Sequence, residues 1–284
     1  MTQVERMLPL YQGMMTSIFD HRAADVVRSV TAVKRQNQPR YLSAEDHADT
    51  ERMALPYYWV RAELIDGSVP GWHLAFNDVT SVTNERTLVA AALPRVGVNH
   101  KLPLVLPSTD GRLKACLLAM MNSFVVDYLA RQKVGGNSMT YFYLRQFPVL
   151  SPGDLDRPVP WKSSMSVLDW VSSRSVYLSN TAVDMVSMAE DVGSPSAPIV
   201  WIEKERSSVR AELDAAMFLF YAVERNDVEY IMETFPIVKR KDITAHGEFR
   251  TKRLILETYD AMAEAIETGI PYESPFDDLL TDGE

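Results

Sequence analysis

The sequence predicts an α+β protein in which a mixed α/β domain, residues 1–150, precedes a helical domain, residues 166–270. Short apolar runs that are rich in aromatic residues and bounded by Pro or Gly lie mainly before residue 110, and such runs are typical of strands. After residue 165, apolar residues recur at helical spacing, which indicates amphipathic helices. Residues 151–165 contain three Pro and one Gly without a period, so we expect a linker there that proteases cut first.

The elements of the first half follow from these patterns in chain order. One continuous amphipathic helix is expected over residues 113–129, where apolar side chains share one face, and Gly135-Gly136 is expected to end it. The predicted strands cover residues 57–60, 72–76, 87–93, 102–106 and 139–144.

The second half is predicted to consist of helices that bury one face each. A loop rich in Ser and Pro is expected at residues 194–198, and residues 271–284 are expected to form a frayed acidic tail. The apolar residues that define the helical faces are Ala182, Met185, Val186 and Ala189, then Leu213, Ala216, Met217, Phe220 and Tyr221, and finally Ile255, Tyr259, Met262 and Ile266.

Composition excludes several classes of protein. Hydrophobic residues make up 46% of the chain and charged residues 24%, which argues against disorder. No apolar run approaches the length of a membrane span, and no signal peptide is recognisable. A single cysteine, Cys116, predicts a reducing cytoplasm.

The net charge of −9 is unevenly distributed along the chain. Residues 1–150 carry 16 Lys and Arg against 13 Asp and Glu, whereas residues 151–284 carry 13 against 25. An anion-binding surface is therefore expected in the first half or in a local basic cluster.

Common catalytic motifs are absent from the sequence. It contains no phosphate-binding loop, no dinucleotide fingerprint and no nucleophile elbow. Its five histidines are scattered, with no pair spaced for a helical zinc site. We therefore predict no metal site and no self-contained catalytic residues.

Six stretches occur in the order known from one family of enzymes. They are LPLYQGMM at 8–15 with FDHR at 19–22, TNERTLVA at 83–90 with LPR at 93–95, NSFVVDYLARQKVGG at 122–136 with QFP at 146–148, AELDA at 211–215, FPIV at 235–238, and RTKRLIL at 250–256. Together they resemble the region that follows the catalytic domain in large adenine-specific N6 DNA methyltransferases of restriction–modification and phage-exclusion systems.

The resemblance implies a DNA target-recognition domain that binds double-stranded DNA, joined to a helical domain. The chain departs from the family because it has no Pro-Pro dipeptide and no glycine turn of the kind that holds S-adenosylmethionine. We therefore expect no methyl transfer by this chain alone. S-adenosylmethionine would belong to a catalytic partner chain or to a missing domain.

Target recognition needs groups that hold phosphates and groups that contact base edges. Glycine allows close approach to a phosphate, and polar residues in loops are suited to contact bases. Candidates for phosphate binding are Arg131, Lys133, Gly135 and Gly136, and candidates for base contacts are Arg86, Arg95, Asn99, His100, Lys101, Asn137 and Ser138.

A second basic cluster lies in the otherwise acidic half, and it is a further candidate for DNA contacts. Its residues are Lys239, Arg240, Lys241, Arg250, Lys252 and Arg253.

Each candidate has a structural alternative. Gly135-Gly136 can simply cap a helix whose last cations are solvated, and Arg86 can form a structural ion pair. The cluster at 239–253 can dock onto an acidic partner. The sequence likewise leaves two other functions open: a catalytic protein with a degenerate cofactor site, and a structural or inhibitory protein that covers the recognition face of a partner methylase without contacting DNA.

Overall fold

A computed structural model describes residues 5–34, 36–65, 67, 70–107, 109–274 and 276–277 of the chain. Short strands and longer helices occur together in it, so the predicted α+β class is confirmed. The strands are β1 Met7–Tyr11, β2 Ala24–Arg28, β3 Asn37–Tyr41, β4 Trp59–Arg61, β5 Trp72–Phe76, β6 Ala90–Pro94, β7 Gly97–Val98, β8 Leu104–Val105, β9 Pro158–Val159 and β10 Lys162–Ser166.

The helices are short in the first half and long near the end of the chain. They are α1 Ala44–Ala48, α2 Gly111–Asn122, α3 Phe124–Lys133, α4 Tyr141–Leu144, α5 Pro152–Leu155, α6 Val167–Ser179, α7 Val186–Val192, α8 Glu203–Phe220, α9 Arg225–Glu233, α10 Pro236–His246 and α11 Arg250–Thr268.

The chain forms two compact units, each of which gathers three segments. Unit 1 comprises Met1–Val79, Val89–Lys114 and Val176–Trp201, and unit 2 comprises Thr80–Leu88, Ala115–Ser175 and Ile202–Glu284. This division differs from the predicted limits at 150 and 166, which remain predictions about domains.

Unit 1 contains small sheets around one apolar core. β1 lies between β4, which is antiparallel to it, and β7, which is parallel, while β5 pairs antiparallel with β6 and β8. β2 and β3 form a separate antiparallel pair. The core packs side chains from β1, β2, β5 and β6 and from segments outside the strands: Tyr11, Met15, Val26, Ala54, Ala75, Ala91, Leu93, Val96 and Leu102.

Unit 2 is mainly helical, and its aromatic residues fill the space between helices. The ring of Trp161 stands edge-on to Trp170, with centroids 5.3 Å apart, and stacks on Phe220 at 5.2 Å. The residues predicted as a linker therefore contribute to a core, since Leu155, Val159 and Trp161 are buried. Short elements also lie in this segment, namely α5, β9 and the start of β10, and the linker at 151–165 stays a prediction about domains.

The predicted continuous helix over 113–129 is broken at Ser123. α2 and α3 meet there at an angle of 61°. Ser123 has extended backbone angles and its hydroxyl accepts a hydrogen bond from Val126 N–H, while the buried Asp214 carboxylate accepts from Phe124 N–H at 2.7 Å. These acceptors cap the start of a second helix, so the chain changes direction although its apolar period continues.

Three other local expectations are wrong. Residues 141–144 form a helical turn instead of a strand, and Phe142 is 73% exposed, because no described strand pairs with this segment. Ile266 is exposed on α11. Asp277, assigned to a frayed tail, accepts hydrogen bonds from Lys162 and Arg174; Asp278, Asp282 and Glu284 lie outside the described residues.

Within the described residues, no single helix combines the length and hydropathy of a membrane span. Only the bent pair α2 and α3, taken together, reaches those limits.

Candidate functional site

The loop between β6 and β8 carries four of the residues predicted to contact bases, and it separates them. Arg95 is half-buried and its guanidinium donates to the Ile65 carbonyl at 3.4 Å. His100 is exposed. Asn99 and Lys101 instead line a cleft in unit 1. Asn99 and Lys101 therefore belong to a concave site.

The cleft has a volume of about 520 Å³ and is unusually rich in amide side chains. We name it the amide cleft. The sequence did not predict most of this lining, because its amides are far apart along the chain. They come from the ends of β1 and β5, from β3, and from the loop between β7 and β8. Its lining residues are Gln12, Gly13, Met14, Asn37, Gln38, Pro39, Asn77, Val79, Asn99 and Lys101.

Two amides of the cleft are held by hydrogen bonds to their oxygen atoms. Asn77 Oδ1 accepts from the Thr16 hydroxyl at 3.1 Å. Asn99 Oδ1 accepts from Lys101 N–H at 3.0 Å, which closes a tight turn. Neither Nδ2 atom has a hydrogen-bond partner among the described residues. The two side chains therefore offer N–H donors to the cleft.

A third amide of the cleft has no hydrogen-bond partner among the described residues. Gln12 lines the cleft and is only 7% exposed as a residue. Its amide nitrogen and oxygen are not among the fully buried polar atoms, so they keep some accessible surface. A bound group that donates and accepts can therefore pair with them.

The cleft depends on a glycine. A Cβ atom on Gly13 would lie 2.9 Å from Asn77 Oδ1 and 3.1 Å from the Lys101 carbonyl oxygen. Any larger residue at 13 would push against both sides of the site. Gly13 lies in the stretch LPLYQGMM, which contributes to the family resemblance, but the sequence predicted no specific role for this glycine.

The charge of the cleft is balanced. The Lys101 ammonium lies 2.6 Å from the Asp78 carboxylate, and Lys101 is the charged side chain among the described lining residues. The site therefore presents neutral polar groups to a ligand.

The FDHR stretch positions the loops of unit 1 instead of forming a site. Arg22 is fully buried, and its guanidinium donates to the carbonyl oxygens of Asp49, Arg52, His47 and Thr181 at 2.6–2.7 Å. Its role is to hold these backbone segments together.

Arg86 in unit 2 is buried and paired within the protein. Its Nε donates to Asp127 at 3.0 Å, another nitrogen donates to the Asn122 carbonyl, and the guanidinium lies over the Phe124 ring. The same carboxylate accepts from the N–H groups of Thr87 and Leu88. Arg86 thus forms the ion pair that the sequence offered as its structural alternative, and its base contact stays a prediction.

Arg131 is likewise held by contacts within unit 2, and its role in phosphate binding stays a prediction. It donates to the carbonyls of Asn84 and Glu85 at 2.8 Å and lies over the Phe235 ring. Burial lowers the pKa of its guanidinium, although Asp127 acts in the opposite direction. A side chain held in this way has little freedom to contact a phosphate.

The residues after Arg131 are accessible. Lys133, Gly135, Gly136 and Asn137 are exposed, and Ser138 is half-buried. α3 ends at Lys133, and Val134 N–H bonds to the Ala130 carbonyl. Neither glycine has a positive φ and nothing lies within 4 Å of their added Cβ atoms, so they leave the surface open and do not form a left-handed cap.

The basic segment at 239–253 is largely neutralised within unit 2. Lys239 lies 2.6 Å from Glu233, and Lys252 contacts both Glu233 and Glu229. The remaining pairs join Lys241 to Glu85, and Arg253 to Glu248 and Glu257. No ion pair within the described residues involves Arg240 or Arg250.

The structure brings two of the predicted groups together. Lys241 contacts the Glu85 side chain, and Arg131 contacts the Glu85 carbonyl. The end of α3 and the start of α10 therefore meet at the segment 84–85. Lys133 and Arg240 lie on the elements that converge there.

The described residues contain no group of three or more His, Cys, Asp or Glu side chains that could hold a metal ion. No family model, curated protein or solved structure matches the chain. The resemblance to adenine-specific methyltransferases thus stays a prediction from sequence motifs.

Proposed function

We propose that this chain is the DNA target-recognition part of a site-specific adenine-N6 DNA methyltransferase system and works with a separate catalytic chain or domain. The motif order supports the class of protein. The observation that carries the proposal is the amide cleft, because Asn99 and Lys101, selected as base-contacting residues from sequence, line it together with further amides. Amide side chains are suited to bind nucleobase edges.

Phosphate binding in this proposal is assigned to fewer residues than the sequence suggested. Lys133 is exposed and has no ion-pair partner among the described residues, and the same holds for Arg240. These cations can release counterions from DNA, whereas Lys239, Lys241, Lys252 and Arg253 would first have to leave their carboxylates.

The test is DNA binding by purified protein at several salt concentrations. Lys133→Ala should weaken binding about equally on every duplex and reduce the salt slope by roughly one counterion. Asn99→Ala should instead reduce discrimination between sites, by about 1–3 kcal/mol for each lost base contact. Gln132→Ala, on the exposed side of α3, serves as the control. An affinity that depends neither on the salt concentration nor on the DNA sequence would contradict the proposal.

The proposal also predicts no methyl transfer by this chain alone, since the motifs for S-adenosylmethionine are absent. Purified chain is incubated with duplex DNA and labelled S-adenosylmethionine, with and without a catalytic partner. Incorporation by the chain alone, removed by a point substitution within it, would contradict this division of labour.

A second candidate is a structural or inhibitory protein that covers the recognition face of a partner methylase. The neutralised basic segment favours it, because paired cations attract phosphates weakly. This candidate is supported over the first if the chain co-purifies with a methylase and lowers the DNA binding of that methylase.

A further inference from the structure

We propose that the amide cleft of unit 1 binds a single unpaired nucleobase, of the kind that presents hydrogen-bond acceptors along its edge. This inference rests on the proposed function and deepens it, because it names the group that the cleft receives. Guanine, with O6 and N7, and thymine, with O2 and O4, share this chemistry.

The size of the cleft fits one base and its sugar. Its volume of about 520 Å³ lies within the range of roughly 300–1,000 Å³ for small-molecule sites. Base edges in an intact duplex are recessed in the grooves. A concave site of this kind therefore receives a base that has left the stack.

The hydrogen-bonding groups select for acceptors. The oxygen atoms of Asn77 and Asn99 each already accept one hydrogen bond, from Thr16 and from Lys101 N–H, so fewer of their acceptor sites than of their N–H donors are unpaired. Their Nδ2 groups remain as donors, and they are poorly matched to the exocyclic amino groups of adenine and cytosine.

Gln12 supplies the independent sign that a ligand belongs here. The residue is more than nine-tenths buried and lines the cleft, and its amide bonds to no described residue. An amide can donate and accept at once, which suits the mixed edge of a base. Gln12 is therefore expected to bond the base alongside the two asparagines.

Charge and apolar surface distinguish a base from a phosphate. The ammonium of Lys101 is balanced by Asp78 at 2.6 Å, so the cleft has no excess positive charge for an anion. Met14, Pro39 and Val79 add apolar surface that can contact the faces of a ring.

The experiment measures binding of the full chain to duplexes that carry one bulged base, either T, G, A or C, and to the fully paired duplex. We expect bulged T or G to bind about tenfold more tightly than bulged A. Asn77→Asp and Asn99→Asp should remove this preference, because each keeps the bonded oxygen and replaces the donor with an acceptor. Gln132→Glu, which adds the same charge elsewhere, should keep it. Thermal unfolding verifies that each variant is folded.

The outcomes separate this inference from the proposed function. Tight binding to all duplexes without a preference for the bulged base overturns the inference and leaves target recognition standing. If no duplex binds, titration with free thymidine and deoxyguanosine decides: binding that is lost in both Asp variants supports the base site while the proposed function fails. Absence of both kinds of binding overturns both.

Discussion

A single arginine holds two stretches of backbone together in unit 1. The guanidinium of Arg22 donates to three carbonyl oxygens within and just after α1 and to the carbonyl oxygen of Thr181. Its planar fork suits several acceptors at fixed angles, which a lysine ammonium on a flexible chain does not reproduce. The buried carbonyls would lose their partners in a lysine variant.

Arg22→Lys should therefore lower the free energy of unfolding by about 3 kcal/mol. The matched control is Arg28→Lys, since Arg28 is exposed and bonds to Gln36, and we expect less than about 0.5 kcal/mol there. Urea denaturation followed by circular dichroism measures both. Equal effects would show that the buried fork is not what stabilises these loops.

A buried histidine predicts how stability depends on pH. His73 on β5 is 1% exposed, and neither ring nitrogen has a hydrogen-bond partner. Burial, with a smaller contribution from Lys114, lowers its pKa from 6.5 to about 4. The unfolded chain therefore binds a proton before the folded chain does, and stability falls as the pH drops from about 6.5 towards 4.

His73→Leu should reduce this loss. Between pH 7.5 and pH 5 the wild-type protein should lose about 2 kcal/mol more than the variant, which is measured as the difference between their urea midpoints at the two pH values. Parallel pH profiles for both proteins would contradict the assignment.

Ion pairs between α9, α10 and α11 decide what the basic segment can do. One carboxylate, Glu233, accepts from both Lys239 and Lys252, and these two lysines lower its pKa. Sequence alone showed the cations as a cluster, while the helix packing supplies their partners.

Removing that carboxylate should expose the cations to DNA. Glu233→Gln is expected to raise affinity for any duplex a few-fold at low salt and to steepen the salt slope by between one and two counterions. Glu264→Gln on α11 changes the net charge equally and involves no described ion pair, so it serves as the control. If the two variants behave alike, the basic segment does not contact phosphates.

At the scale of the whole molecule, the position of the first proteolytic cut distinguishes two descriptions of the chain. The sequence places it at residues 151–162. In the structure, the Arg157 carbonyl accepts from Val167 N–H and Trp161 is buried. In contrast, Val30 and Val33 are 99% and 93% exposed in the segment before Lys34.

Trypsin should therefore cut after Lys34 before it cuts after Lys162, because cleavage requires accessible backbone. Mass spectrometry of a time course identifies the first products. Early cleavage after Lys162 would instead support the linker that the prolines predicted.

Local pattern determined the features of this protein that depend on neighbouring residues. The α+β class, the strand at 72–76, the loop at 194–198 and the helical face of Leu213, Ala216 and Met217 follow from spacing and turn residues, and the structure confirms them. The periodicity of apolar residues indicates which side of an element is buried, so such features can be predicted from the sequence.

Only the tertiary structure decided which polar groups meet. It gave Arg86 and Arg131 their buried partners, ended the helix at Ser123 with the help of Asp214, and gathered Gln12, Asn77 and Asn99 around one cleft. These residues lie tens of positions apart, and a side chain's partner depends on where the chain returns. The sequence thus determined which polar and charged side chains the protein has, and the fold determined which of them are paired with other groups of the protein.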